Sequence, residues 1–140
     1  MVHMLNSDNL TLHKEVVKKV VDIFNTGNLS DVNLLFSPEY IDHQRPDWMN
    51  VSGQEEFKQI VTLARKSLPN LRVTIEDLIA EGNTVVARLQ WHSTDIKSKR
   101  IDRETIDILR FVNGKIVEHW GAESWSSEKT SIDKFNSLNT

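Results

Sequence analysis

Cysteine is absent from this chain. That one absence removes disulfides, thiolate nucleophiles and the sulfur ligands of structural zinc and iron–sulfur sites, and it leaves the redox compartment unmarked. A basic excess is lacking too. With 17 Lys and Arg against 20 Asp and Glu, the net charge is −3, so nothing draws the chain as a whole to phosphate backbones, and nucleic acid is not an expected partner. Lys97, Lys99 and Arg100 make the one basic cluster, which reads as a solvated hairpin tip. No apolar run approaches the ~20 residues of a membrane span. The opening MVHMLNSDNL has no Lys or Arg to begin a signal peptide. The expectation is therefore a cytoplasmic protein with no membrane partner. Metal-binding spacing is missing as well: His43, His92 and His119 form no HExxH or comparable set, so neither a metal nor another cofactor is expected.

Proline is scarce, which makes its three positions informative. Leu10 to Thr26 carries Val16, Val17, Val20, Val21 and Phe24 at spacings of three and four, the stripe of an amphipathic helix, and Gly27 supplies its left-handed stop. Ser30 is placed to cap a short second helix whose Val32, Leu35 and Phe36 share a face, and Ser37-Pro38 ends it. Tyr40 to Gln44 reads as a short strand. Pro46 lies in a loop from Arg45 to Val51 that also holds Trp48 and Met49, bulk that suggests a cover over something. Ser52 and Glu55 have capping-box spacing, and Phe57, Ile60, Val61, Ala64 and Leu68 then predict a third helix that stops at Pro69.

Beyond Pro69 the pattern turns β-branched. LRVTIEDLIAEG and TVVARLQWHSTD predict two strands around Gly82-Asn83. A long hairpin then runs from Lys99 to Trp125 around Asn113-Gly114, the strongest short-range hairpin signal. Helices first and a meander of antiparallel strands after them predict an α+β fold. The expected form is a single domain over residues 1–140, with a core at about 10–125 and a tail at 126–140 whose Ile132, Phe135 and Leu138 have helical spacing. Three N-terminal helices covering part of a strongly curved sheet would make a cone-shaped barrel that encloses a pocket.

Strand alternation nominates the side chains that face such a pocket. Trp91 falls on the inner face of its strand with Val85, Ala87 and Leu89. Thr105 and Asp107 share a face with Leu109 and Phe111. Asp107 is the leading candidate for a general base, a carboxylate among apolar neighbours where burial strengthens basicity, with an ion pair to Arg103 as the plainer alternative. Asp42 and His43 point to opposite faces, so one of them enters. A two-residue turn taken literally sets Arg110 opposite Val117 and Ile108 opposite His119, which parts His119 from Asp107; a one-residue bulge would reverse that. Ile106 and Ile108 make the other face of the hairpin apolar, which suggests burial against a second copy.

The runs NTGNLSDVNLLFSPEYIDH, PNLRVTIEDLIAEGNTVVARLQW and IDILRFVNGKIVEHW resemble, in this order and spacing, the SnoaL-like polyketide cyclases of the nuclear transport factor 2-like superfamily. The resemblance covers roughly Val16 to Trp125. It implies a cone-shaped α+β barrel, a homodimer through the outer sheet face, and cofactor-free ring closure on a small apolar carbonyl compound. It also implies polar pocket positions at Asp42, Thr105, Asp107 and Gly121, with Trp48, Trp91 and Tyr40 as wall or donor. The family's acid/base carboxylate is expected just after the His-x pair of the last strand, where this chain has Gly121, and the connection from Trp91 to Arg103 is shorter than in cyclase relatives. Two readings follow: a proton-transfer enzyme with Asp107 as base and Asp42 or His119 as partner, or a binding or dimeric interaction module without the carboxylate.

Overall fold

The computed structural model of the chain describes residues 6–124. The helical spacing noted at 126–140 lies outside them, as does Trp125. Helix α1 spans Asn6–Thr26, α2 Val32–Leu35 and α3 Gly53–Ser67, and the strands are β1 Phe36–Asp42, β2 Arg72–Glu81, β3 Thr84–Thr94, β4 Arg100–Val112 and β5 Lys115–Glu123. Gly27, at φ +76°, ends α1 as its spacing predicts, its N–H returning to the Ile23 carbonyl at 2.7 Å. At α3, Ser52 stands in the N-cap position, but its hydroxyl makes no capping bond. The predicted box is not formed: Glu55 pairs with Lys58 instead.

The sheet order is β1-β5-β4-β3-β2. Strands β2 to β5 are the predicted antiparallel meander. The expected all-antiparallel sheet is corrected at its edge, where β1 runs parallel to β5 and makes the sheet mixed. The sheet remains open. Strand β1 also starts earlier than Tyr40, taking in Phe36, whose spacing sets it on the second helix. Pro38 is tolerated there because β1 is an edge strand that need not donate on both sides. Its pairing partner lies some eighty residues away, and no local pattern announces a pairing of that range.

The core lies between the helices and the sheet. Val17, Val20, Val21, Phe36, Phe57, Val61, Val85, Ala87, Leu109, Phe111 and Ile116 are all buried there. Phe36 stacks on Phe57 with centroids 4.0 Å apart, and Tyr40 meets the Phe36 ring edge-on at 4.8 Å. These aromatic contacts lock β1 against α3 and fix the direction in which the next residues of β1 point.

One irregularity in the long hairpin decides the site. Asn113 (φ +51°) and Gly114 (φ +78°) form the tight turn, with Val112 opposite Lys115 and Phe111 opposite Ile116. Then the register slips, and Arg110 faces Glu118, Leu109 faces His119 and Asp107 faces Gly121. Val117 is the extra residue of a β-bulge. A literal two-residue register would have turned His119 outward; the bulge lets Ile116 and His119, three apart, both face inward.

Candidate active site

Three strands deliver a connected polar row to one end of a cavity of about 320 Å³. Its remaining wall is apolar, built from α1 (Val17, Val20, Phe24), α3 (Phe57, Ile60) and the sheet (Leu89, Trp91). At the centre of the row stands His119. Its Nδ1 lies 2.9 Å from Asp42 Oδ1 and its Nε2 2.7 Å from Asp107 Oδ1. Asp42 is delivered by β1, Asp107 by β4 and His119 by β5. Burial alone would lower the His119 pKa, but the hydrogen bonds and charges of Asp107 and Asp42 outweigh it and push it up to about 9. At neutral pH both ring nitrogens therefore carry protons and donate, and the trio bears one net negative charge.

The two carboxylates are held differently. Asp42 Oδ1 also accepts the Gln44 backbone N–H at 2.9 Å, and its Oδ2 accepts the Tyr40 hydroxyl at 3.0 Å. Although burial pushes the Asp42 pKa up, these donors and His119 together hold it below the usual carboxylate value. The Tyr40 phenol is driven the other way, first by burial and then by Asp42 at its side, so it stays a donor. Asp107 Oδ2 accepts the Thr105 hydroxyl at 2.7 Å, and Thr105 Oγ1 in turn accepts the Trp91 indole N–H at 2.8 Å. A carboxylate offers about four lone-pair directions. Asp42 uses three of them within the protein and Asp107 two, so Asp107 has the more room for a further partner from the cavity.

A second tier fixes the first. The carboxylate of Glu56, only 1% exposed, accepts the Asp42 backbone N–H at 3.2 Å and pairs with Arg45 at 3.0 Å. Arg45 also donates to the carbonyls of Met49 and Val51. Residues 45–51 are thereby folded against β1, and Pro46 joins the cavity wall. Glu56→Ala is expected to leave a buried N–H unsatisfied and release this loop. The cost should be roughly 2–3 kcal/mol, since Arg45 keeps partial access to water. Urea unfolding followed by circular dichroism would measure it, and Glu56→Gln, which keeps an acceptor, should lose less.

Most residues nominated from the sequence converge here: Asp42, Asp107, His119, Tyr40, Thr105 and Trp91 make one continuous chain of hydrogen bonds. Trp48 does not join it. Its side chain is 66% exposed and stands outside the cavity; Pro46 and the buried Met49 use the loop's apolar surface instead. The alternative of an Asp107–Arg103 pair is also not what forms, because Arg103 pairs with Glu123. His43 lies on the outer face, bonded to Glu118 at 2.7 Å and stacked on Trp120. Among the described residues no group of three His, Asp or Glu converges as metal ligands would; Asp42 and Asp107 sit at opposite edges of the imidazole. Glu56, Arg45 and Gln44 are the members that sequence reasoning missed. Gln44 had a signal, since period two along Tyr40–Gln44 sets it on the face of Asp42.

Gly121 lies directly opposite Asp107. A Cβ at this position would stand 2.9 Å from Asp107 Oδ1 and overlap the Gln44 carboxamide outright. The space a side chain would take is thus filled by two neighbouring ones, and these, in place of Gly121 itself, line the cavity.

The model of the SnoaL-like polyketide cyclase family matches residues 14–124. The chain belongs to that family. Among solved structures, a candidate polyketide cyclase from Bacillus cereus is similar at 29% identity and a TM-score of 0.74, over 91% of this chain and 82% of that one. A candidate cyclase from Acidithiobacillus ferrooxidans shares the fold at 19% identity and a TM-score of 0.70, over 92% and 96% of the two chains. So does AclR from Streptomyces galilaeus, described as a candidate hydroxylase, at 23% identity and 0.67, over 81% and 79%. No curated protein matches in sequence. SnoaL-like membership fixes the α+β cone architecture, and the hydroxylase description of AclR is a reminder that one fold carries several chemistries.

Proposed function

We propose that this SnoaL-like protein is a cofactor-free proton-transfer enzyme acting on a small neutral carbonyl compound, with ring closure by aldol addition as the reaction that suits it best. The observation that carries the reading is Asp107, a carboxylate with unused acceptor capacity, braced by His119 and Thr105 at the polar end of an apolar cavity. In the forward step Asp107 takes the proton α to a carbonyl and the electron pair moves onto the carbonyl oxygen as an enolate. The enolate carbon then attacks a second carbonyl of the same molecule, forming a carbon–carbon bond. The alkoxide so produced recovers the proton from Asp107. Abstraction moves a negative charge from the Asp107 carboxylate onto the enolate, so the total charge at the site is unchanged and the enolate forms close to the protonated His119. His119, already protonated and held at both nitrogens, positions and stabilises and does not serve as the base. Asp42 and Tyr40 orient it.

Gly121 bears on whether such chemistry is retained. The position where family resemblance sets an acid/base carboxylate lacks a side chain, yet Asp107 reaches to 2.9 Å from where a Cβ there would lie. The reading is that the carboxylate is delivered from the facing strand instead. A cavity of about 320 Å³ is at the small end of ligand sites and suits one or two fused rings. Its test uses 2-tetralone, a neutral bicyclic ketone: the protein should accelerate exchange of the α-protons for deuterium in D2O, followed by proton NMR. No acceleration over buffer, with 2-tetralone nonetheless bound, would leave the alternative of a binding module.

A homodimer is proposed on the outer sheet face. There Ile79, Val86, Ile108 and Trp120 form one row across four strands. Charged pairs flank the row on either side, Arg88 with Asp77 and Glu104, and Arg110 with Glu118. An apolar band bordered by both signs of charge is self-complementary under a two-fold axis. Ile108→Glu is expected to convert a dimer into a monomer by light scattering; a wild-type monomer at high concentration would sink the proposal.

A further inference from the structure

The side chain of Gln44 has no assigned task. It follows Asp42 by two residues, lines the cavity, and is exposed at its polar end. Its backbone N–H is committed to Asp42 Oδ1, so the main chain there is anchored, while its carboxamide makes no hydrogen bond to any described residue. It lies in the space left by Gly121, beside Asp107. A Cβ on residue 121 would be 2.9 Å from the Gln44 Cδ as well as from Asp107 Oδ1. The two functional groups are therefore neighbours over the same point of β5, one an acceptor with spare capacity and the other an unengaged amide.

Proton abstraction next to a carbonyl needs a donor at the oxygen where charge develops. Around this cavity the other polar hydrogens are taken. The Tyr40 hydroxyl is given to Asp42, the Thr105 hydroxyl and one His119 N–H to Asp107, the other His119 N–H to Asp42, and the Trp91 N–H to Thr105. Among the described residues no Lys or Arg lines it. We infer that Gln44 is the catalytic donor that binds the substrate carbonyl and steadies its enolate while Asp107 takes the proton, and that Gly121 exists to admit the Gln44 amide. The two ends of a carboxamide exchange by a simple flip, so its NH2 reaches the position whichever atom faces Gly121. The neutral donor suits an uncharged ketone or ester, and the one cation among the described residues that line the cavity, His119, is already paired with two carboxylates.

This inference rests on the proton-transfer reading, and the same probe separates the two. For α-proton exchange of 2-tetralone, Gln44→Leu is expected to lower kcat about 100-fold, the usual loss for one oxyanion donor, with KM changed only a few-fold. Gly121→Ala should cause at least as large a loss, since its Cβ would displace the amide and crowd Asp107 Oδ1 as well. Gln44 is exposed, so thermal melts of its variants should match the parent. Wild-type exchange rates in Gln44→Leu, with Asp107→Asn inactive, would overturn the donor role and leave the base standing. Loss through KM alone would likewise overturn it, reducing Gln44 to a binding contact. Absence of exchange by the wild-type protein would overturn the base reading and the donor with it.

Discussion

Asp107→Asn is expected to lower the rate of α-proton exchange on 2-tetralone by about 10²–10⁴-fold, the range general-base catalysis ordinarily contributes. The substitution keeps the shape of the side chain. Asparagine retains an oxygen for the His119 Nε2–H, while its amide can only donate to Thr105 Oγ1, whose hydroxyl hydrogen must turn to another acceptor. What disappears is the basic lone pair. Binding of 2-tetralone should survive, since the wall that holds an apolar ring is contributed by Val17, Phe24, Leu89 and Trp91, and loss should appear in kcat with KM little changed. Thr105→Val should act more mildly. It withdraws one hydrogen bond from Asp107 and leaves the Trp91 N–H without its acceptor. Full activity in Asp107→Asn would remove Asp107 from the mechanism and shift attention to Asp42, the other carboxylate on His119.

The substitution matters because Asp107 and His119 meet at all, and that meeting was the least legible feature of the chain. Helices α1 and α3 were plain from the three-and-four spacing of Val17, Val20, Val21 and Phe57, Ile60, Val61, because tertiary packing there follows the same periodicity that the sequence displays. The hairpin turn was plain from Asn113-Gly114. Beyond it, alternation counted from the turn carries an assumption that no residue is skipped, and Val117 breaks it. A trace of the bulge was present: Ile116 and His119 stand three apart, and strict alternation cannot bury both. Nothing local decided which one yields.

Pairing of β1 with β5 was hidden for a different reason. It joins residues separated by about as much chain as intervenes between Asp42 and His119, and strand pattern records which face a residue takes, not which strand lies beside it. Period two did place Tyr40, Asp42 and Gln44 on one face, and the structure keeps that order. Trp48 misled because bulk in a loop suggests a cover. From this loop only Pro46 reaches the cavity wall, after Arg45, held by Glu56, folds the segment down. Glu56 sits in the first turn of α3, where an acidic residue ordinarily serves the helix terminus; only the arrival of the Asp42 N–H and Arg45 turns it into a buried clamp.

His119 should make the protein's stability fall as pH rises, with the loss concentrated between about pH 6.5 and 9. The sign follows from the direction in which the fold moves its pKa. In the unfolded chain the imidazole has its ordinary pKa of about 6.5, and in the fold it rises to about 9. Below the unfolded value both states are protonated and the ion pairs to Asp42 and Asp107 contribute in full. Between the two values folding takes up a proton, so each step upward in pH disfavours the fold; above the folded value the contribution is gone. Its size is on the order of 3 kcal/mol across that interval, since a tenfold change in proton activity is worth about 1.4 kcal/mol per proton. Asp42 works in the opposite sense at the acid end, where its lowered pKa gives stability that is present above the usual carboxylate value and lost as pH falls through its folded pKa. Urea midpoints measured from about pH 5 to about pH 9.5 should therefore decline on the alkaline side, and the decline should flatten in His119→Asn. An imidazole titration by NMR tests the origin directly: the His119 resonances should stay those of an imidazolium through about pH 7.5. A neutral His119 at that pH would leave one of the two carboxylate contacts without its proton, and it would return His119 to candidacy as the base, because a free Nε2 lone pair facing Asp107 could then accept what the imidazolium cannot.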